Sequence, residues 1–259
     1  MQFETLAYTE KDGILHIKLN RPDKRNAINP NMFWDIEKCF CEVASKPSVG
    51  AVLLSGEGKG FSAGTDLTAF QAGGSQQDIR KFVRMAQRAY NEIEYLEKAV
   101  IALIHNFCFG IACEMVLACD LRICSAETTF SIPEVVMGLV PDDGASQRLP
   151  RIVGVGRAKE LILTGKTINA EKAGSWGMVN EVVKLEDLEK TGIAWAKQIV
   201  DNGPIGVGLA KRNIDMSMNM SVADGLECAG MAQSLGFSDP EFITRIQKRL
   251  EERTKGKKS

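Results

Sequence analysis

The chain of 259 residues has two histidines, no Cys-x-x-Cys pair, and no apolar run near the roughly 20 residues needed to cross a bilayer. So few histidines, beside seven cysteines without paired spacing, give no expectation of a zinc or disulfide framework. Reduced, mostly buried thiols in a cytoplasmic protein fit better. The opening residues, MQFETLAYTEKDG, are mixed and acidic. They lack the apolar core of a secretion signal and the Arg-rich character of a transit peptide, so neither export nor membrane attachment is expected. An excess of either charge is also missing, and a net charge of −1 gives no whole-chain field to draw in nucleic acid. Lys255, Lys257 and Lys258 make a short basic tail that reads as a frayed, solvated terminus. No low-complexity linker and no short-period repeat interrupts the chain.

What is present is a composition of 44% hydrophobic and 25% charged residues, enough for a full core in one large or two small domains. Ile14 to Leu19 alternates apolar and polar residues and predicts a strand. Asn29-Pro30 predicts a helix cap with proline at the first helical position, and Phe33, Ile36, Phe40 and Val43 then share one face. Val49 to Leu54 predicts a buried strand, followed by a loop holding Gly56, Gly58 and Gly60. Without a P-loop lysine that loop reads as a backbone bend. Asp78 to Leu96 predicts an amphipathic helix with Ile79, Phe82, Val83, Ala86, Tyr90, Ile93 and Leu96 on its apolar face. Strands and helices alternate up to Pro150, which argues for an α/β core with parallel sheet. Helices follow, predicted over 157–164, 170–176, 185–202, 205–216, 222–235 and 240–253. A composition shift near residue 190 separates an α/β core, 1–190, from a helical C-terminal subdomain, 191–259.

Chemistry concentrates between Ile104 and Arg148. Glu114 and Glu134 stand there on largely apolar backgrounds, one near the flexible Gly110, the other after Pro133. The residues leave two readings open. Buried carboxyls have raised pKa values that suit general acid–base work near neutral pH. Alternatively, Glu114 stabilises a helix N-terminus and Glu134 sits in a solvated loop.

Several blocks, in order along the chain, resemble the enoyl-CoA hydratase/isomerase (crotonase) superfamily. They are Leu19-Asn20-Arg21-Pro22 with Asn26-Ala27, Phe61-Ser62-Ala63-Gly64-Thr65-Asp66-Leu67, Gly110-Ile111-Ala112-Cys113-Glu114, Ala118-Cys119-Asp120, Pro133-Glu134, and Ala145-Ser146-Gln147-Arg148-Leu149-Pro150. The resemblance implies a crotonase-like spiral of β-β-α turns with a helical C-terminal region, assembled as a homotrimer or a dimer of trimers. It also implies an acyl-CoA thioester as substrate and no separate cofactor. The N–H groups of Thr65 and Ile111 would form the oxyanion hole. Glu114 would take a proton from water, and Glu134 would deliver one to Cα. Ala63, Thr65, Asp66 and Leu67 would line the CoA through their backbone, with Arg25 and Lys248 as phosphate partners.

Two departures separate this chain from the usual hydratase pattern. Ile111 stands where the family has glycine, and a branched side chain does not readily take φ > 0. Asp142 stands where hydratases have glycine and dienoyl-CoA isomerases have aspartate, although those isomerases also carry aspartate at the position of Glu114. Asp143 reads as a solvated helix start ahead of Gly144, a reading also open for Asp142. His16 and His105 show no Ser or Cys partner at a recognisable elbow, which argues against a hydrolase triad. Three functions follow: an enoyl-CoA hydratase, an enoyl- or dienoyl-CoA isomerase using Glu134 and Asp142, and a non-catalytic binding protein of the same fold. The carboxylate pair argues against the third.

Overall fold

The computed structural model describes residues 2–70 and 75–255. Lys257, Lys258 and the side chain of Lys255, all in the basic tail, lie outside what it describes. The strands are β1 (Leu6–Lys11), β2 (Ile14–Leu19), β3 (Ala51–Gly56), β4 (Ala99–Ile104), β5 (Phe107–Phe109), β6 (Leu121–Ser125), β7 (Thr129–Ser131), β8 (Thr167–Asn169) and β9 (Glu181–Val183). Between and after them run α1 (Pro30–Ala44), α2 (Gln76–Tyr95), α3 (Ile111–Leu117), α4 (Ala145–Val153), α5 (Val155–Thr164), α6 (Ala170–Ser175), α7 (Leu188–Val200), α8 (Pro204–Ser217), α9 (Val222–Gly236) and α10 (Phe242–Lys255).

Six strands form one sheet in the order β1-β2-β3-β4-β6-β9, and β5-β7-β8 form a second. In the large sheet only the β1–β2 pair is antiparallel; the other four pairings are parallel. A parallel sheet is covered on both faces, which is why β4, between β3 and β6, is buried at all six residues. Strand periodicity divides the core in two. Leu15, Ile17, Val52, Leu54, Val100 and Ala102 pack toward α1, α2 and α3. Leu53, Ile101 and Leu103 pack on the opposite face with Leu188 and Ala196 of α7.

Asn29 accepts a hydrogen bond from the Met32 N–H at 3.0 Å, Pro30 follows it, and Phe33, Ile36, Phe40 and Val43 of α1 are fully buried. On α2 the expected face holds from Phe82, which meets Phe33 edge-on at 5.4 Å. Ile79 departs from the expectation and is exposed, because the first turn of α2 extends past that contact. Residue 190 falls inside α7, which belongs to the sheet's packing through Leu188, Gly192 and Ala196. By contrast α9 buries none of its residues. No helix among the described residues is long and apolar enough to cross a membrane.

Candidate active site

The turn through Ala63 is built by the Asn-Arg-Pro segment. The amide of Asn26 donates to the carbonyls of Glu57, Gly60 and Phe61, and its side-chain oxygen accepts from the Arg21 N–H at 2.9 Å. Arg21 in turn donates to the Ala27 carbonyl and pairs with Asp66 at 3.0 Å. Thr68 and Arg21 hold the Asp66 carboxyl below the usual carboxylate range. Ser62 donates to the Asn26 carbonyl and accepts from the Gly64 N–H. The Ala63 N–H bonds the carbonyl of Arg25, whose side chain is exposed. Arg25, Ala63, Thr65, Asp66 and Leu67 therefore gather at one turn. Lys248 stands exposed on α10, which Arg245 ties to the Asp201 carbonyl.

This turn lies against the start of α3. Gly64 has φ +88°, and a Cβ there would stand 2.5 Å from the Phe109 carbonyl oxygen, so only glycine permits the approach. Gly110 has φ +55°, and a Cβ there would stand 2.8 Å from Glu134 Oε1. The positive φ thus falls on Gly110, and Ile111 takes the first helical position with ordinary dihedrals, which removes the strain foreseen for it. The N–H groups of Thr65 and Ile111 have no hydrogen-bond acceptor among the described residues, while their neighbours Gly64, Asp66 and Gly110 are all bonded. Buried Tyr90 steadies the second of them by donating to the Ile111 carbonyl at 3.0 Å.

Glu114 is fully buried. Its Oε2 accepts from the N–H groups of Asp143 (2.9 Å) and Ala145 (2.7 Å), while Oε1 has no partner. Burial pushes its pKa up to about 8 and the charges of Glu134 and Asp142 add to this, against the pull of the two N–H donors. Glu134, in a short 3-10 turn (Glu134–Met137), is also buried, with Oε2 unpartnered and a pKa raised chiefly by burial. Neither the solvated-loop reading of Glu134 nor the solvated reading of Asp143 matches these positions. Asp143 is 2% exposed, its Oδ1 has no partner, and its pKa is pushed up to about 9 by burial and by Glu114. Asp142 is partly buried with a raised pKa, and its carbonyl accepts from Gln87. One oxygen from each of Glu114, Asp142 and Asp143 lies within 4.8 Å of the others. Two ionised carboxylates at that separation repel by roughly 3–4 kcal/mol at an effective dielectric near 20. No lysine or arginine pairs with any of the four among the described ion pairs. Such a group keeps protons at neutral pH and can trade them, which is the requirement for acid–base catalysis.

Sequence reasoning missed Asp143 because a charge doublet before a glycine usually marks solvent. It also missed that His16 has a serine partner: its Nε2 lies 2.8 Å from Ser55 Oγ across β2 and β3. Ser55 is in a regular strand and no described cavity opens onto it, so the pair is a cross-strand contact rather than a nucleophile.

Residues 9–255 match the family model for enoyl-CoA hydratase/isomerase. The chain is 36% identical over 219 residues to a short-chain-enoyl-CoA hydratase of Clostridium acetobutylicum, covering 84% of each chain. It is 32% identical over 264 residues to the mitochondrial Delta(3,5)-Delta(2,4)-dienoyl-CoA isomerase of Mus musculus, covering 97% of this chain and 81% of that one. The crystal structure of an enoyl-CoA hydratase from Bacillus anthracis superposes with a TM-score of 0.92 at 31% identity, over 96% of this chain and 97% of that one. By sequence and by fold, this chain belongs to the enoyl-CoA hydratase/isomerase family.

Proposed function

We propose that the protein is an enoyl-CoA hydratase, adding water across the α,β-double bond of an acyl-CoA thioester in fatty acid metabolism. The observation that carries this reading is the conjunction of two unbonded N–H groups, on Thr65 and Ile111, with two buried unpaired glutamates around Gly110. The thioester oxygen takes up negative charge as the water oxygen bonds to Cβ, and the two N–H groups stabilise it. The water's proton passes to Glu114 as Glu134 supplies the proton that Cα receives. One proton shared by the pair is therefore the competent state. The high pKa of Glu114 means that it tends to hold that proton while the site is empty, so the roles belong to the pair, settled when substrate and water enter. The thioester is the substrate and no further cofactor takes part. Arg25 and the backbone of Ala63, Asp66 and Leu67 receive the CoA.

A second reading, isomerisation of a dienoyl-CoA, is favoured by Asp142 standing within 4.8 Å of Glu114. We further propose a homotrimer or a dimer of trimers, built through the helical region after residue 190. Val222 (81% exposed), Leu226, Met231 and Leu235 of α9 support this, since a lone chain leaves them in water. Lys248 would serve CoA as a second phosphate partner. Free, mostly buried cysteines support the cytoplasm as the proposed location, and neither nucleic acid nor a membrane is proposed as a partner. Incubation with crotonyl-CoA tests the main reading: loss of the enone absorbance supports hydration. Conversion of a 3,5-dienoyl-CoA without water uptake, and no action on crotonyl-CoA, would replace it with the second.

A further inference from the structure

We propose that Asp143 is a positioning residue: a buried, neutral carboxylic acid that holds Glu114 from its backbone and supplies a hydrogen-bond donor close to the Glu114 carboxyl. The Asp143 N–H fixes Glu114 Oε2 at 2.9 Å. Its carboxyl oxygen lies within 4.8 Å of a Glu114 oxygen, a span that one water molecule can bridge. Both Asp143 Oδ1 and Glu114 Oε1 are buried without a partner. Two buried carboxyls this close are held most cheaply when at least one carries a proton, which removes the like-charge repulsion and leaves a donor for the other or for a bridging water.

The surroundings decide which one keeps it longest. Glu114, Glu134 and Asp142 face Asp143 with like charge. Arg148 approaches, but its guanidinium donates to the Asp143 carbonyl at 3.0 Å and is otherwise held by Asn91 and by Glu94, its ion-pair partner. The Tyr90 hydroxyl is committed to Ile111. Glu114, by contrast, receives two N–H donors that favour its ionised form. Asp143 therefore ionises after Glu114, consistent with about 9 against about 8.

This inference rests on Glu114 being part of the acid–base machinery, but its test reads protonation without turnover. Absence of hydration by the native protein would sink the proposed function and leave this test intact. The full chain is labelled with 13C-glutamate, so that Glu and Asp carboxyl bands separate in the infrared, and titrated from pH 5 to 11. A protonated Asp band should persist above pH 8 and vanish near 9, and should be missing in Asp143→Asn. Asparagine keeps a neutral donor, so Glu114 should titrate within about 0.3 pH units of native in Asp143→Asn. In Asp143→Ala the donor is gone, and the Glu114 midpoint should rise by about 0.7 or more. The proposal fails if no Asp band survives above pH 7, if Asp143→Asn lowers the Glu114 midpoint by about one unit as removal of a charge would, or if both variants shift it equally. Loss of the Asp band on adding Mg²⁺ or Mn²⁺ would also overturn it, showing that the three carboxylates hold a cation instead.

Discussion

The two ends of α3 bury charge in opposite ways. At its start, Glu114 joins Glu134, Asp142 and Asp143 with no cation among them. Just past its end, Asp120 accepts from Lys211 at 2.9 Å and from the Val100 N–H at 2.7 Å. Arg122, nearly fully buried, spends its guanidinium on the carbonyls of Met178, Val116 and Cys119. Burial raises the Asp120 pKa even so, with Lys211 opposing it. Charges arranged like the second set are neutralised in place and tie α8 to the sheet. Charges arranged like the first are held at a free-energy cost, and the protonation state stays adjustable. The contrast says where chemistry is expected and where only architecture is.

The strongest way to break the contrast is to neutralise the unpaired end. Glu114→Gln and Glu134→Gln should each lower kcat at least about a hundredfold, since general acid–base groups contribute roughly 10²–10⁴. Affinity for CoA, read by calorimetry, should change little. Near-normal turnover in either variant would remove that residue from the mechanism. Slightly smaller is the expected loss at the proposed oxyanion hole of Thr65 and Ile111. Thr65→Ala should be mild, because the N–H does the work. Thr65→Pro deletes the donor and should cost about 10²–10³ in kcat provided the circular dichroism stays native.

The paired end should respond in stability alone. Lys211→Met leaves the Asp120 carboxylate without its cation, at about 3 kcal/mol, the low end for buried pairs because Asp120 keeps some solvent. Calorimetry should show melting lower by about 6–12 °C, with turnover per folded molecule within about threefold of native. A large kcat loss with unchanged melting would invert the comparison.

Much of this contrast was legible in the sequence, though unevenly. The strand at 14–19, the Asn29 cap and the two carboxylates at Glu114 and Glu134 follow from periodicity, cap chemistry and ordered motif blocks, because each is a local signal. Asp143 is not local. Its burial depends on α3 and α4 meeting, and nothing in Asp142-Asp143-Gly144 announces which aspartate turns inward. Ile111 misled in the other direction. The family's run of glycines makes each position look equally demanding, whereas the positive φ falls on Gly110 alone. The Ser55–His16 contact escaped notice for the same reason: it joins strands 39 residues apart.

A finer probe of the unpaired end is the pH dependence of stability. Burial pushes Asp143 up to about 9 and Glu114 up to about 8 in the folded protein, far above the ordinary carboxyl values of 3.8 and 4.5. Below those ordinary values both the folded and the unfolded chain are protonated and the groups oppose folding least. As pH rises, the unfolded chain ionises first and binds fewer protons, so stability falls until the folded pKa values are passed. Native melting should therefore decline between pH 5 and 9. Asp143→Asn should flatten that decline and melt at least about 3 °C higher at pH 8. A variant no more stable at pH 8 than the native protein would mean that the buried aspartate is compensated by something else.

Asp142 gives the smallest and most diagnostic effect, because it belongs fully to neither class. It is only partly buried, and its charge raises the pKa values of Glu114, Glu134 and Asp143. Hydration needs two carboxyls. Moving a pair of double bonds needs a base at one carbon and an acid at a more distant one, and a third carboxyl extends that reach along the acyl chain. Asp142→Gly removes the third group while keeping the pair. It should hold crotonyl-CoA hydration within about threefold and lower any dienoyl isomerisation by about tenfold or more, as for loss of one general acid or base. It should also lower the Glu114 pKa and move the acid limb of the hydration profile toward lower pH, because a like charge has left. The readout is the ratio of the two activities in native and variant enzyme across pH. Collapse of hydration would make Asp142 part of the hydration machinery and the two-glutamate account incomplete. An unchanged ratio with an unmoved limb would class Asp142 with the solvated charges.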